Sequence, residues 1–477
     1  MTQIKFGTDG WRALIARDFT FDTVGLTAKA VLDTFKKKTP RPTRMIIGYD
    51  RRFLSRGFAE QAAVVYAEGG LEVLFAETFV PTPCLSWCAK HDSNAAGATV
   101  ITASHNPPEW NGFKFKEPFG GSALPTTTKA FEQEIVNLQV AEYRPPSPDL
   151  FQKYVVSGAI RLFNPLAGYF AAVAHQIDTE AIRKGNFRVA LDTMYGSASG
   201  HYSAFLESLG VSVTEIHAND NPGFGGTPPE PIAKNLKELC NFVKRNKLSC
   251  GLATDGDSDR LGAVDENGNY FTTQQILSTV YWHMLKHRKK RWNIARSVST
   301  TRMVDLVAQR AGMKSYETPV GFKFIAEKMV AGEAQIGGEE SGGIGVMDHI
   351  PERDGPLTGL LLLEVMAMTG KGLRAVYEDL CKEERPYEFT RLDLHVTQDV
   401  MDSALKRLKN HAPTEWMGRA VESLVTLDGY KFYLKDGSWI LIRASGTEPI
   451  FRLYAEAESQ HASDQLVEAT RKFVETR

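Results

Sequence analysis

Cysteine is scarce in this 477-residue chain, charge of one sign is not in excess, and no long apolar run exists. Each shortage removes a class of protein. The five cysteines, at positions 84, 88, 240, 250 and 381, form no Cys-x-x-Cys pair and precede no histidine cluster at zinc-site spacing. A disulfide framework and a zinc finger are therefore not expected, and the thiols read as reduced and structural. Lysine and arginine number 56 against 57 acidic residues, a formal net charge of -1, which speaks against a general polyanion binder such as a nucleic-acid coat. The longest apolar stretch, residues 359–368, is interrupted by Glu364 and falls far short of the ~20 residues that span a bilayer. Residues 1–10 carry no apolar h-region of a secretory signal. The expectation is a cytoplasmic protein with neither nucleic-acid nor membrane partners. Also missing are the Walker phosphate loop, the kinase catalytic loop and the His-Glu-x-x-His metalloprotease helix.

What is present is ordinary globular composition, 43% hydrophobic and 24% charged, on a chain long enough for three or four domains of roughly 100–200 residues. Strand-like runs at 44–49, 71–76 and 96–103 alternate with helical patterns at 58–68 and 85–90, the rhythm of an α/β layer fold. Three prolines in residues 143–149 read as a linker. A second α/β unit runs through strands at 187–191, 211–216 and 248–254, and a third opens on a hairpin at 261–271 turned by Asn267-Gly268. After Pro386 short connections predict an antiparallel α+β unit. The predicted fold class is α/β: three mixed α/β domains (1–146, 147–260, 261–384) and a smaller C-terminal α+β domain (385–477) around a central cleft.

Chemistry concentrates in four loops. Residues 255–260 (Asp-Gly-Asp-Ser-Asp-Arg) place the carboxylates of Asp255, Asp257 and Asp259 at alternate positions after a strand, a pattern suited to one hard cation. An EF-hand fits in part, with Glu266 at its twelfth position. Arg260 stands where that loop needs glycine, and strands rather than helices flank it. Residues 102–107 (Thr-Ala-Ser-His-Asn-Pro) follow a strand and offer Ser104 as a nucleophile or phosphate carrier, although the same residue types make an ordinary turn. His105 beside it reads more readily as a structural hydrogen-bonder than as a base, since adjacency in sequence does not make a dyad. Residues 337–343 set Glu339, Glu340 and Ser341 in a glycine frame suited to sugar hydroxyls, or simply form a glycine-rich connector. Residues 443–449 offer Arg443, Ser445, the Gly446 amide and Thr447 as a phosphate cradle, or a hairpin turn. Together the four describe phosphate chemistry without a nucleotide, in a cleft between domains.

These loops, in this order, resemble the α-D-phosphohexomutase superfamily over essentially the whole chain. Residues 6–12 (Phe-Gly-Thr-Asp-Gly-Trp-Arg) are similar to its opening signature, 102–107 with 111–114 to its phosphoserine loop, and 255–260 to its metal loop. Residues 338–343 and 443–449 are similar to its sugar and phosphate loops. The resemblance implies reversible transfer between the 1- and 6-positions of a hexose phosphate. Phosphorylated Ser104 is the carrier, and glucose 1,6-bisphosphate serves as intermediate and activator. Asp255, Asp257 and Asp259 are expected to hold Mg²⁺ with the Ser104 phosphate. Arg12, Lys114 and Arg260 are expected to share its charge, and His105 or Lys114 to act as general acid or base. Glu339 and Ser341 are expected to read sugar hydroxyls, with Lys323 nearby as a further substrate contact. Arg443, Ser445, Gly446 and Thr447 are expected to hold the phosphate that is not reacting.

Glu340 before Ser341, and Gly343 where related sugar loops carry histidine, are similar to glucose-preferring members, as are residues 321–323 and 353–355. Glucose 1-phosphate is the expected substrate, with a mannose or dual mutase as the alternative. A silent sugar-phosphate or metal binder on the same scaffold is the alternative of another class. A monomer or small homo-oligomer is expected.

Overall fold

The computed structural model describes residues 3–37, 43–445 and 448–476, and its strands form four sheets. The first contains β1 (Trp11–Leu14), β2 (Arg44–Tyr49), β3 (Glu72–Ala76), β4 (Ala95–Ile101), β5 (Trp110–Lys116) and β6 (Ile160–Phe163) in the order β1-β5-β4-β2-β3-β6. The second holds β7 (Arg188–Asp192), β8 (Ser212–Ile216), β9 (Cys250–Thr254), β10 (Leu261–Val264) and β11 (Tyr270–Phe271), ordered β11-β10-β9-β7-β8. The third holds β12 (Ile294–Ser297), β13 (Ser315–Thr318), β14 (Ile336–Gly338) and β15 (Ile344–Val346), ordered β13-β12-β14-β15. The last contains β16 (Glu388–His395), β17 (Glu415–Trp416), β18 (Arg419–Val425), β19 (Tyr430–Leu434), β20 (Trp439–Ala444) and β21 (Ile450–Ala457). All of its pairings are antiparallel, with β16 and β17 at the edges. The three mixed α/β layers and the smaller α+β unit are as the sequence predicts.

One plan recurs in the first three sheets. The segments β3-β2-β4-β5, β8-β7-β9-β10 and β13-β12-β14-β15 each contain three parallel strands and a fourth that returns antiparallel. The turn from third to fourth strand is in turn the Ser104 loop, the aspartate loop and the Glu339 loop. Each therefore leaves the carboxyl end of a parallel strand, where open α/β sheets bind ligands. Composition explains why those strands are central. Every residue of β4 (Ala-Ala-Gly-Ala-Thr-Val-Ile) is buried, as a strand covered on both faces requires. Gly97 within it has φ +144, and a Cβ there would lie 2.2 Å from the Lys116 carbonyl oxygen, so no larger residue allows β5 to pair so closely.

Sheet membership corrects the sequence division at two places. β6 lies beyond the proline linker yet pairs with β3, extending the first sheet past residue 146. The hairpin of β10 and β11 belongs to the second sheet instead of opening the third. The short aspartate loop forces β10 back onto β9, and this tertiary pairing leaves no mark in local periodicity.

The fourth unit is fastened to the third by Trp439, Leu441 and Tyr454, which pack on Val298. Buried Lys431 donates to the Val298 carbonyl at 2.6 Å and to Glu317 at 2.7 Å. No helix among the described residues is long and apolar enough to cross a membrane.

Candidate active site

The Ser104 loop is shaped by groups behind it. Asp50, at the end of β2, accepts from Thr102 Oγ1 at 2.6 Å and Ser55 Oγ at 2.7 Å. Thr102 Oγ1 in turn accepts from the Ser104 amide at 2.9 Å. Ser104 adopts φ +54, a left-handed conformation uncommon for serine. Its hydroxyl consequently points across the unit boundary and donates to Asp255 Oδ2 at 2.8 Å, with His105 Nδ1 3.3 Å away. Burial and the cations Arg260, Arg12, Lys114 and Arg353 hold the His105 imidazole well below its ordinary pKa.

Asp255, Asp257 and Asp259 are all fully buried and each points one oxygen at the others, within 4.8 Å. Asp257 Oδ1 and Asp259 Oδ1 find no hydrogen-bond donor among the described residues. Buried carboxylate oxygens without a donor are costly, and an oxygen-seeking divalent cation would satisfy them, so these residues fit such an ion. Burial, followed by repulsion from Asp259 and Asp257, raises the Asp255 pKa well above the carboxylate range.

β5 supplies the opposing charge by strand alternation: Phe113 and Phe115 enter the core while Lys114 and Lys116 face the site. The Lys114 ammonium lies 2.6 Å from Asp9, 2.7 Å from Asp257 and 3.3 Å from Asp259. Burial opposes its charge, but these three carboxylates outweigh burial and raise its pKa. That saturation leaves Lys114 a fixed counter-charge. Arg353 Nη2 reaches Asp9 and Asp259, each at 2.7 Å, while Lys116 joins Asp9 to Glu352.

The third unit contributes Glu339, whose Oε1 accepts from the Gly321 amide at 3.1 Å. Burial pushes its carboxyl up to about 7, against the pull of Arg353. Glu340 accepts from Ser299 at 2.6 Å. A Cβ on Gly343 would lie 2.2 Å from Arg353 Cδ, so the Arg353 side chain fills the space that a larger residue at 343 would need. From the fourth unit, Arg443 donates to Asp428 at 2.9 Å, and the same Asp428 accepts from the Val320 amide at 2.9 Å. Ser445 donates its amide to the Ile450 carbonyl at 2.8 Å, closing the hairpin between β20 and β21. Gly446 and Thr447 lie outside the described residues.

These groups enclose a cavity of about 320 Å³. Of the residues expected from sequence, Arg12, His105, Arg260, Lys323, Glu339, Ser341 and Arg443 line it, and all four units contribute. Ser104 and the three aspartates are buried close behind, Ser104 through its neighbour His105 and Asp259 through Arg353 and Arg260. Seven lysines and arginines line the cavity against four acidic residues, which suits an anion. A larger hollow of about 710 Å³, between residues 178–187 and 366–372, is lined by none of the expected groups among the described residues.

Sequence reading missed Asp9, Asp50, Arg52, Lys116, Glu352, Arg391 and Arg452. Asp9 lies inside the opening motif at 6–12, and alternation along β5 pairs Lys116 with Lys114; the other five carry no local signal.

The geometry agrees with what the chain is similar to. Phosphoglucomutase/phosphomannomutase alpha/beta/alpha domains I, II and III match residues 3–141, 167–268 and 272–383, and the C-terminal domain of the same family matches 398–473. A phosphoglucomutase/phosphomannomutase of Thermococcus kodakarensis is 30% identical over 98% of each chain. A phosphoglucosamine mutase of Geobacter metallireducens is 29% identical, covering 96% of this chain and 95% of its own. A crystal structure described as a putative phosphomannomutase from Thermus thermophilus superposes with a TM-score of 0.86 at 33% identity over 100% of both chains. The loops, their order and these relatives together place the chain in the phosphoglucomutase/phosphomannomutase family of α-D-phosphohexomutases, isomerases that move phosphate within a hexose phosphate.

Proposed function

We propose that this mutase interconverts hexose 1-phosphate and hexose 6-phosphate, with glucose as the preferred sugar, by way of phosphorylated Ser104 and a hexose 1,6-bisphosphate. The observation that carries the reading is Ser104 Oγ, turned out of its own unit and held 2.8 Å from Asp255 beside a cation-lined cavity. In the transfer, a sugar hydroxyl oxygen bonds to phosphorus as the bond from phosphorus to Ser104 Oγ breaks. The proton the hydroxyl loses is recovered by Oγ, directly or through His105. The bisphosphate then turns over and returns its other phosphate to Ser104 by the same exchange in reverse.

Asp255, Asp257 and Asp259 would hold Mg²⁺ together with the Ser104 phosphate, and Mg²⁺ when bound supplies positive charge to the phosphate oxygens. This chain's own contribution is charge and position. Arg12, Arg260 and Arg353 sit where a phosphoryl group passing from Ser104 into the cavity gathers negative charge. Lys114 offsets the mutual repulsion of the aspartates. Glu339 and Ser341 hold sugar hydroxyls, with Lys323 beside them. Arg443, Ser445, Gly446 and Thr447 bind the distal phosphate, and Arg391 and Arg452 face the same cavity. The glucose preference rests on Glu340 and Gly343, the latter backed by Arg353.

The test is a phosphorus NMR time course with Mg²⁺ and a trace of the matching bisphosphate, run separately on glucose, mannose and glucosamine 1-phosphates. Fast conversion of the glucose compound alone is expected. Equal rates on glucose and mannose would make it a dual mutase, and faster glucosamine conversion would overturn the sugar assignment. Hexose phosphate bound but never converted would favour a silent binding protein. A Ser104→Ala protein with near-normal turnover would remove the carrier role.

A further inference from the structure

Behind the carrier loop lies a buried guanidinium for which the chemistry above has no use. Arg52 is 3% exposed and is absent from the cavity lining. Its two terminal nitrogens gather four backbone carbonyls of one loop. Nη2 donates to Ser104 O at 2.5 Å and Asn106 O at 2.6 Å, and Nη1 to Pro107 O at 2.8 Å and Trp110 O at 3.1 Å. Asp50 Oδ2 sits 3.2 Å from its Nε and balances the charge. The same oxygen of Asp50 takes the Thr102 hydroxyl, which holds the Ser104 amide. The ring of Phe224, from the second unit, covers the guanidinium at 4.8 Å.

We propose that Arg52 is the positioning residue of the phosphate carrier: its forked guanidinium fixes the left-handed turn that aims Ser104 Oγ at the aspartate loop. A turn that draws four carbonyl dipoles toward one point is self-repelling unless a cation with divergent donors stands there. Arginine alone offers such a planar fork, whereas lysine carries its three donors on a single nitrogen. The carbonyl of Ser104 also faces Gly256 of the aspartate loop so closely that a Cβ there would stand 2.4 Å away. Arg52 thus sets where Ser104 lies relative to that loop while touching no substrate. Displacement of Ser104 penalises transfer to a sugar hydroxyl held in the cavity more than transfer to water, which needs no fixed acceptor site.

The proposal rests on the carrier role of Ser104, and the experiment separates the two. Wild type, Arg52→Lys and Thr102→Val are treated with glucose 1,6-bisphosphate, and Ser104 phosphorylation is quantified by mass spectrometry. The phosphoenzymes are then partitioned between water and glucose 1-phosphate. A wild type that never carries phosphate on Ser104 refutes the carrier reading itself. Given labelling, Arg52→Lys is expected to lower kcat per phosphorylated site at least tenfold, with KM within twofold. The share of phosphate lost to water should rise at least tenfold. Loss of stability alone changes the number of active molecules but not this partition. If Arg52→Lys does not fold, Thr102→Val must show the same partition shift. An unchanged partition in the folded variant overturns the proposal.

Discussion

Replacing Gly256 by alanine tests how closely the Ser104 and aspartate loops must meet. The added Cβ would stand 2.4 Å from the Ser104 carbonyl oxygen and 3.0 Å from Pro229 Cγ, where real Cβ atoms essentially never come within 3.0 Å. The Ser104 loop or the aspartate loop must therefore give way by about 0.6 Å or more, the shortfall between those two distances. Neither is free to do so cheaply. The Gly256 amide donates to Pro229 O and its carbonyl accepts from the Ser197 amide, while Ser104 O is gripped by Arg52. A misplacement of about 1 Å costs about 100-fold in rate, equivalent to about 2.7 kcal/mol of activation free energy. The expected Gly256→Ala enzyme loses about 100-fold in kcat with little change in KM, because the groups proposed to bind substrate lie on other loops. Steady-state conversion of hexose 1-phosphate, coupled to oxidation of the 6-phosphate, measures both constants. A Mn²⁺ titration followed by electron paramagnetic resonance should find the cation affinity nearly unchanged, since the three aspartates move as one loop. A folded variant with kcat within threefold of wild type would refute the reasoning, for the loops would then tolerate separation.

Two further perturbations probe the other side of the cavity. Glu339, held protonated up to about 7 by burial, keeps a proton in the folded state that an unfolded chain, with an ordinary glutamate at about 4.3, has released. Stability should therefore fall as pH rises from that lower value through about 7, and Glu339→Gln should remove this share of the slope. Melting curves recorded across the interval check it, and parallel slopes in the two proteins would refute it. On the proposed role of the β20–β21 hairpin in holding phosphate, Arg443→Ala removes a charge-assisted donor and should raise KM for hexose phosphate about 10- to 100-fold, as hydrogen bonds to charged groups contribute about 1.5–3 kcal/mol. Cation affinity at the aspartates should be unaffected. An unchanged KM would show that the fourth unit does not anchor the phosphate.

The loops were legible because each is a short run of unusual residues between recognisable strands. Asp255, Asp257 and Asp259 declare themselves by spacing, and the strands β9 and β10 on either side dispose of the EF-hand alternative. Ser104 is legible as a residue but its direction is not: its left-handed turn depends on Asp50 and Arg52, about fifty positions earlier. Arg353 and Asp9 are 344 positions apart yet share one ion pair. No periodicity reports contacts of that range, so the counter-charges of the site emerge only when the sheets are assembled. The two shifted boundaries have the same origin, since β6 and the β10–β11 hairpin are assigned by their pairing partners and not by their own sequence.

The recurrence of one strand order in three sheets has a consequence for how such an enzyme changes over time. The Ser104, aspartate and Glu339 loops, for which carrier, cation-holding and hydroxyl-reading roles are proposed, occupy equivalent turns of separate units, each on its own sheet, so mutations in one turn need not unsettle the packing beneath the others. On the proposed roles, changes confined to the β14–β15 turn can alter substrate choice while the Ser104 and aspartate loops stay intact, whereas Arg353, which also pairs with Asp9 and Asp259, is tied to both. Relatives with names spanning glucose, mannose and glucosamine at nearly the same distance from this chain are what such modular inheritance would leave behind.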